Sequence, residues 1–264
     1  MGDIVAFWSP YPGKARVTAS MCAVMAQLGI NYPGLDIAVS HTGCNDFSLE
    51  EKVDLRTESP DEKKELYKRT GVNALKAGYR QSVPNSEKIR RSAILLRMKS
   101  LFLYPNATGI EDGFSFFLLT ELLKKEHDLV FLDVASGTEE NTVRYLQASD
   151  LVVVVLPQEP VYTERFWREC AGLLEGKKFA VVIGGYMNTA KNGKQFIRKR
   201  ISGKKKNCFC GVIPLNNGYF DAMTEGRALD YFYRNQGVRI REENYEFIVQ
   251  TKKAAENIRK KLFT

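Results

Sequence analysis

Apolar runs of strand length alternate along the chain with segments that repeat apolar residues at helical spacing. The run 150–158, "DLVVVVLPQ", is rich in valine, as expected for a central parallel strand covered on both faces. Strands that alternate with helices predict an α/β fold: a doubly wound, mainly parallel sheet with helices on both faces. The predicted strands are 4–8, 34–40, 100–106, 128–136, 150–158, 178–187 and 209–215.

The predicted helices fall between these strands. Residues 15–29 and 111–126 have helical periodicity, and residues 48–100 are mostly charged and helical with breaks. One long charged helix is expected from about 240 to 264. Because no internal repeat or low-complexity linker interrupts the pattern, the sequence predicts a single domain over 1–264. A chain of 264 residues can bury a substantial core.

Composition adds a basic surface to this picture. The chain is 44% hydrophobic and 27% charged, with a net charge of +8, which permits nucleic acid, anionic membrane or acidic protein partners. Its five cysteines are scattered, and the close pair Cys208 and Cys210 is weak evidence for a metal without a second pair. We therefore expect reduced thiols in a cytoplasmic protein, with peripheral attachment at the inner face of the membrane as an alternative.

The most informative segment is "FWSPYPGKAR", between the first strand and the first helix. Strand–loop–helix proteins bind phosphate at this place, because backbone N–H groups and the helix N-terminus converge on the anion. Gly13 and Lys14 lie where such a loop carries a Gly-Lys pair. Pro10 and Pro12 have no N–H to offer, and Tyr11 is bulky where glycine normally allows close approach.

Three segments together resemble the MinD/ParA family of deviant Walker P-loop ATPases. The first segment is the loop. The second, "DLVFLDVASGTEENTVRYLQASDLVVVVLPQEP", is similar to the family's Walker B region. The third, "GVIPLNNGYFDAMTEGRALDYF", is similar to the family's Ile-Pro segment. The resemblance covers roughly residues 3 to 235. Within the family, "LFLYPNA" and the Tyr-Phe-x-Ala run after Pro214 most resemble the TadZ/CpaE branch, which serves pilus assembly and polar localisation.

The family's loop, K-G-G-x-G-K-T-[ST], assigns a role to each residue from Ser9 to Arg16. Gly13 and Lys14 match, whereas Ala15 replaces the hydroxyl that would hold Mg²⁺, and Arg16 replaces the next hydroxyl. Ser9 replaces the signature lysine. The resemblance thus implies a degenerate loop that lacks most of the chemistry of phosphoryl transfer.

The remaining site residues follow from the same resemblance. The second strand ends in Ser40, His41 and Thr42 instead of D-x-D, with Asp46 further on, and the adenine-pocket Asn aligns with Gly184 or Gly185 near Asn188. The implied cofactor is ATP or ADP with Mg²⁺, and no catalytic or metal-ligating residue is assigned. The candidate cofactor-binding residues are Gly13, Lys14, Ala15, Arg16, Asp133, Gly137 and Pro214.

Each candidate has a structural alternative. Lys14 is either a phosphate ligand or a residue near a helix N-terminus, and Asp133 lies beside a magnesium site or caps a turn. The basic stretch Lys194–Lys206 binds DNA or anionic membrane through phosphate neutralisation, or is a solvated helix and loop. The C-terminal helix targets a membrane or packs its apolar stripe on the sheet.

Three functional hypotheses follow. The first is a pseudo-ATPase of TadZ/CpaE type, a protein-binding localisation or assembly factor for a pilus or secretion machine. The second is a slow Mg-ATPase that uses Lys14 and Asp133 and cycles between monomer and dimer on DNA or membrane. The third is an ATP-independent DNA-binding protein. The resemblance also implies a homodimer, formed around ATP in the family and constitutive or lost here.

Overall fold

A computed structural model describes residues 1–42, 49–53, 59–79, 83–98, 100–106 and 113–264. Its sheet has the strand order β3-β4-β2-β5-β1-β6-β7-β8. All neighbours are parallel except β3, which is antiparallel to β4. The strands are β1 (Asp3–Trp8), β2 (Ile37–His41), β3 (Ile94–Leu95), β4 (Leu101–Leu103), β5 (Leu129–Asp133), β6 (Leu151–Leu156), β7 (Phe179–Tyr186) and β8 (Phe209–Pro214).

Thirteen α-helical segments are found in the described residues, and two of them continue into π-helical turns, Leu118–Leu122 and Phe166–Cys170. The second of these turns leads into a 3₁₀ turn, Ala171–Leu174. The helices are α1 (Val17–Asn31), α2 (Glu50–Val53), α3 (Pro60–Lys68), α4 (Gly71–Tyr79), α5 (Ser86–Ser92), α6 (Gly113–Phe117), α7 (Leu123–Glu126), α8 (Glu140–Ala148), α9 (Pro160–Arg165), α10 (Lys194–Lys204), α11 (Asn217–Thr224), α12 (Ala228–Arg234) and α13 (Tyr245–Leu262).

The central strands β1 and β6 are buried along almost their whole length, because helices cover both faces of the sheet. One apolar layer contains the buried faces of α1, α11, α12 and α13, and the other contains those of α8, α9 and α10. This architecture confirms the predicted doubly wound, mainly parallel α/β fold. No helix in the described part of the chain is both long and apolar enough to cross a membrane.

The predicted start of the first helix and the predicted helical segment 48–100 both differ from the structure. The first helix begins at Val17 and not at residue 15, so the loop after β1 is longer than expected. The short strand β3 lies inside the segment that was expected to be helical. Cys22, Cys170, Cys208 and Cys210 are buried free thiols, whereas Cys44 lies outside the described residues.

Candidate functional site

A cavity of about 570 Å³ opens at the carboxyl ends of β1, β5 and β8. Pockets of this size are typical of sites that bind nucleotides and other small ligands. In a parallel sheet this edge is where ligands bind, because the strand ends and helix N-termini meet there. Of the predicted site residues, Gly13, Ala15, Arg16, Asp133 and Pro214 line the cavity, whereas Lys14 and Gly137 do not.

The loop between β1 and α1 is anchored at its start and exposed at its tip. Ser9 is buried and its hydroxyl accepts a hydrogen bond from the backbone of Tyr11 at 3.2 Å. The Tyr11 ring turns inward, and its hydroxyl donates to the carbonyl of Tyr162 at 2.9 Å. Residues 12–14 are exposed, and Lys14, unlike Gly13, does not line the cavity.

A hydroxyl–carboxylate pair forms the floor of the cavity. Thr18, in the first turn of α1, donates a hydrogen bond to Asp133 Oδ2 at 2.5 Å. The resemblance implies that Ala15 replaces the Mg²⁺-binding hydroxyl. A hydroxyl that the resemblance does not assign, that of Thr18, lies at the end of β5 because the loop is longer than expected. Ala15 is instead buried under the loop, with 1% of its surface exposed.

The position of Thr18 changes how the loop compares with a Walker sequence. In the general pattern, the residue before the hydroxyl is the phosphate-binding lysine, and the residue before that is glycine. Here those two residues are Val17, which is buried, and Arg16. Arg16 has φ 56° and ψ 50°, the left-handed conformation that glycine adopts most easily. In this register the Gly13-Lys14 pair lies three residues before the positions of the Walker glycine and lysine.

The side chain of Arg16 crosses to the opposite wall of the cavity. A Cβ atom at Gly185 would lie 3.0 Å from Arg16 Cδ, so the arginine stem packs directly over this glycine. The guanidinium carbon lies 6.0 Å from the centre of the Phe220 ring. Within the described residues, Arg16 forms no ion pair. Arg16 thus lies between the loop, the end of β7 and α11.

Asp133 lies in a mixed electrostatic environment. Burial raises the pKa of its carboxyl above the usual value, while the Thr18 hydrogen bond and the nearby positive groups His41 and Lys52 act in the opposite direction. Threonine hydroxyl and aspartate oxygens are hard ligands that suit Mg²⁺. In the described residues, no group of three or more His, Cys, Asp or Glu side chains forms a metal-binding cluster.

The end of the second strand carries a buried polar pair where the resemblance has carboxylates. His41 Nε2 lies 3.1 Å from Glu50 Oε1, and both residues are almost fully buried. Asn106 donates to the backbone carbonyl of His41 at 2.9 Å. Glu50 was not predicted as a site residue, because its partner is nine residues away and no motif marks the pair. Asp46 lies outside the described residues.

The remaining predicted residues have mainly structural contacts. The carbonyl of Gly137 accepts a hydrogen bond from Trp8 Nε1 at 2.8 Å, and its φ of 105° is one that favours glycine. A Cβ atom at Gly184 would lie 2.1 Å from the carbonyl oxygen of Ala15, so this position holds the loop close to β7. Asn188 lines a smaller cavity of about 340 Å³ beside the main one.

The fold is shared with solved MinD and ParA ATPases. The septum site-determining protein MinD complexed with Mg-ADP from Pyrococcus horikoshii OT3 has a TM-score of 0.69 at 13% identity, over 98% of this chain and 96% of that one. The MinC:MinD cell division protein complex of Aquifex aeolicus has a TM-score of 0.66 at 16% identity, over 98% and 96%. The ParA family ATPase of Chlorobium tepidum TLS has a TM-score of 0.67 at 13% identity, over 96% and 99%. No protein-family model and no curated protein matches the chain.

Proposed function

We propose that this chain is a MinD/ParA-like pseudo-ATPase that acts by binding other proteins, as a localisation or assembly factor of the pilus or secretion type. The proposal rests on the position and burial of Val17. It immediately precedes the hydroxyl that pairs with Asp133, at the position of the phosphate-binding lysine, and it is apolar and buried. A valine can neither reach a phosphate nor neutralise the charge that develops during phosphoryl transfer.

The second strand supports the same conclusion. Catalysis of phosphoryl transfer depends on groups that position the attacking water as well as on charge. At the end of β2 the side chain of His41 is directed to Glu50, so it is engaged in a buried pair. The side chain of Ser40 is also engaged, because its hydroxyl donates to the carbonyl of Tyr104 at 2.7 Å. We therefore assign no water-positioning residue to this strand.

Mg²⁺ fits one part of the site. The Thr18 hydroxyl and the Asp133 carboxylate face the cavity together and would hold the cation. The chemistry that Mg²⁺ would supply there is neutralisation of phosphate charge. The residues of this chain would then bind and orient a nucleotide without the lysine that promotes its hydrolysis. Retention of the cation pair is consistent with a protein that binds nucleotide and does not turn it over.

Protein partners are supported by the fold and by exposed apolar residues around the cavity mouth. Among the similar structures, the Aquifex aeolicus protein was solved in complex with MinC. In this chain Met187, Leu215 and Phe220 are large apolar side chains with 42–55% of their surface exposed. Apolar residues gathered at one edge of a soluble domain are typical of protein-binding surfaces.

Sedimentation velocity with ATP, with ADP and without nucleotide tests this proposal against the cycling-ATPase alternative. We expect one oligomeric state, monomer or dimer, that does not change with time in Mg-ATP. A dimer that forms in Mg-ATP and dissociates again as the ATP is consumed would support the cycling ATPase and contradict the proposal.

The DNA-binding alternative is favoured by one observation. The helices α10 and α13 lie on opposite faces of the sheet, and both border the edge strand β8. Lys194 of α10 contacts Gln250 of α13, and its pKa is lowered by burial and then by the like charge of Lys253. Burial raises the pKa of Cys208, just before β8, to about 11, and the charges of Lys205 and Lys261 act in the opposite direction, so both lysines lie near that end of the edge.

This basic edge combines the predicted stretch with lysines from a distant part of the sequence. If it binds DNA, affinity for a 30-base-pair duplex should fall steeply as salt rises. The double variant Lys253→Gln, Lys261→Gln should then reduce the salt slope by about two, since each released contact contributes about 0.9. A salt slope that is unchanged in this variant would contradict DNA binding at this edge.

A further inference from the structure

A second cavity, of about 470 Å³, lies between the end of α1, the turn that joins β3 to β4, and α12. Val17, the first residue of α1, lines the cavity described above, whereas Gly29 and Ile30 near the end of the helix line this one. A helix of fifteen residues is about 22 Å long. The second cavity is therefore a separate site at the opposite edge of the sheet.

The walls of the second cavity are largely apolar and its turn is fixed. Ile30, Pro33 and Met98 line it and are all partly or fully exposed to it or to solvent. The amide of Leu96 donates to the carbonyl of Leu101 at 3.0 Å, and the amide of Leu101 donates to the carbonyl of Met98 at 2.8 Å. Preformed cavities of this size with apolar walls and a few polar groups are typical of small-ligand sites.

The charge at this cavity is positive. Arg97 lines it, and no Asp or Glu is among the described residues that do. The Arg97 guanidinium pairs with the buried carboxylate of Asp230, which also accepts a hydrogen bond from Arg234 Nε at 2.6 Å. Two arginines on one carboxylate leave one positive charge in excess. Arg97 is 49% exposed and lies over the Tyr233 ring, with 5.6 Å from the guanidinium carbon to the ring centre.

The other polar groups of the cavity can donate hydrogen bonds beside Arg97. They are the Ser100 hydroxyl and the Gln236 side-chain amide. The last carbonyl groups of α1 act against an anion, because a helix C-terminus carries about half a negative charge. This partial charge is smaller than the full excess charge of the arginines, and the carbonyl of Leu28 already accepts a hydrogen bond from Tyr32.

We propose that the second cavity binds a carboxylate that carries a compact apolar body. The carboxylate would accept hydrogen bonds from Arg97, Gln236 and Ser100, and the apolar body would lie against Ile30 and Met98. A free organic acid and the carboxyl-terminal residue of a partner peptide both have this chemistry. The inference does not rest on the proposed function, because no described residue lines both cavities.

Binding of two matched pairs of probes, followed by nuclear magnetic resonance titration, tests this site. The first pair is 3-phenylpropionate and its neutral amide, and the second is N-acetylphenylalanine and its neutral amide. We expect each carboxylate to bind about tenfold or more tightly than its amide, the gain expected for a charge-assisted hydrogen bond. Tighter binding of N-acetylphenylalanine would support a peptide end as the ligand, and tighter binding of 3-phenylpropionate a free acid.

Variants at Gln236 locate the binding without disturbing the core, because this side chain is exposed. Gln236→Glu should weaken binding of both carboxylates about threefold or more and leave the amides unchanged, whereas Gln236→Lys should strengthen carboxylate binding. Gln195→Glu, on the exposed surface of α10, makes the same change in net charge and should have no effect.

Arg97→Gln removes the proposed carboxylate ligand directly and should weaken binding of both acids about tenfold. It also removes one partner of Asp230, so its melting curve is measured beside that of the wild type. If this variant does not fold, the two Gln236 variants decide the question.

The proposal is overturned if the wild type binds neither acid, if acids and amides bind equally, or if Gln236→Glu and Gln195→Glu have the same effect. None of these outcomes bears on the proposed function, which concerns turnover of ATP at the other edge of the sheet. Conversely, measured hydrolysis of ATP would contradict the proposed function and leave the second cavity as it is.

Discussion

The Thr18 hydroxyl donates a hydrogen bond to Asp133 Oδ2 at 2.5 Å and so joins the first turn of α1 to the end of β5. This bond defines the register of the loop. In the register that we propose, Thr18 is the Walker hydroxyl, so the lysine position is Val17 and the glycine position is Arg16. In that register the site has the hydroxyl–carboxylate pair and no lysine before it.

Removal of the Thr18 hydroxyl should destabilise the protein. In Thr18→Val the carboxylate of Asp133 keeps its place and loses its donor, and we expect the free energy of unfolding to fall by about 1–3 kcal/mol. Urea denaturation at pH 7 measures the change. Thr189→Val, at an exposed threonine, is the matched control and should differ from wild type by less than about 0.5 kcal/mol. If Thr18→Val and Thr189→Val are equally stable, the hydrogen bond from Thr18 to Asp133 does not contribute to the free energy of unfolding.

The raised pKa of Asp133 predicts a pH-dependent difference from Asp133→Asn. Burial raises the folded-state pKa above the ordinary value of 3.8, so the folded protein holds this proton more tightly than the unfolded chain. The contribution of Asp133 to the free energy of unfolding should therefore fall as pH rises from 3.8 through the folded pKa. The stability of Asp133→Asn minus that of wild type should grow over this range and then level off at higher pH. A stability difference between the two proteins that stays constant or shrinks as pH rises would contradict the raised pKa of Asp133.

Gly185 should control the placement of Arg16. A methyl group at this position would lie 3.0 Å from Arg16 Cδ, and the φ of 62° is strained for alanine. We expect Gly185→Ala to lower the melting temperature by a few degrees. Gly172→Ala is the matched control, because a Cβ atom there has no neighbour within 4 Å. An unchanged melting temperature in Gly185→Ala would show that the fold does not depend on this packing.

The C-terminal helix α13 should behave as part of the core. Ile258 is 1% exposed and packs in the layer with α1, whereas Val249 on the same helix is 36% exposed. Ile258→Ala should cost about 2–5 kcal/mol of unfolding free energy. Val249→Ala should lower the free energy of unfolding by only about 0.5 kcal/mol. Loss of binding to anionic vesicles without loss of stability in Ile258→Ala would favour the membrane-targeting interpretation.

Sequence patterns predicted the strands well, because a buried parallel strand needs a continuous apolar run, as in Leu151–Leu156. They failed at β3, where Ile94–Leu95 is too short to show a period. The helices α11 and α12 were also not predicted, although Tyr219 and Phe232 of these helices are buried.

The site was predicted less well than the fold, and the loop shows why. Its register was inferred from the Gly13-Lys14 pair, but the exposed tip at residues 12–14 and the left-handed Arg16 delay the helix to Val17. No local pattern reveals such a shift, since it depends on how the chain meets β5 and β7. The pairing of His41 with Glu50 is equally invisible, because it joins two elements that meet only in the folded protein.

Steady-state release of phosphate from Mg-ATP tests directly whether this chain hydrolyses ATP. The wild type and Asp133→Asn are purified identically, so that any contaminating ATPase contributes equally to both. We predict that the two rates are indistinguishable at saturating ATP, because Val17 provides no lysine for phosphoryl transfer. A wild-type rate that exceeds that of Asp133→Asn and rises in proportion to protein concentration would contradict the account and establish an ATPase.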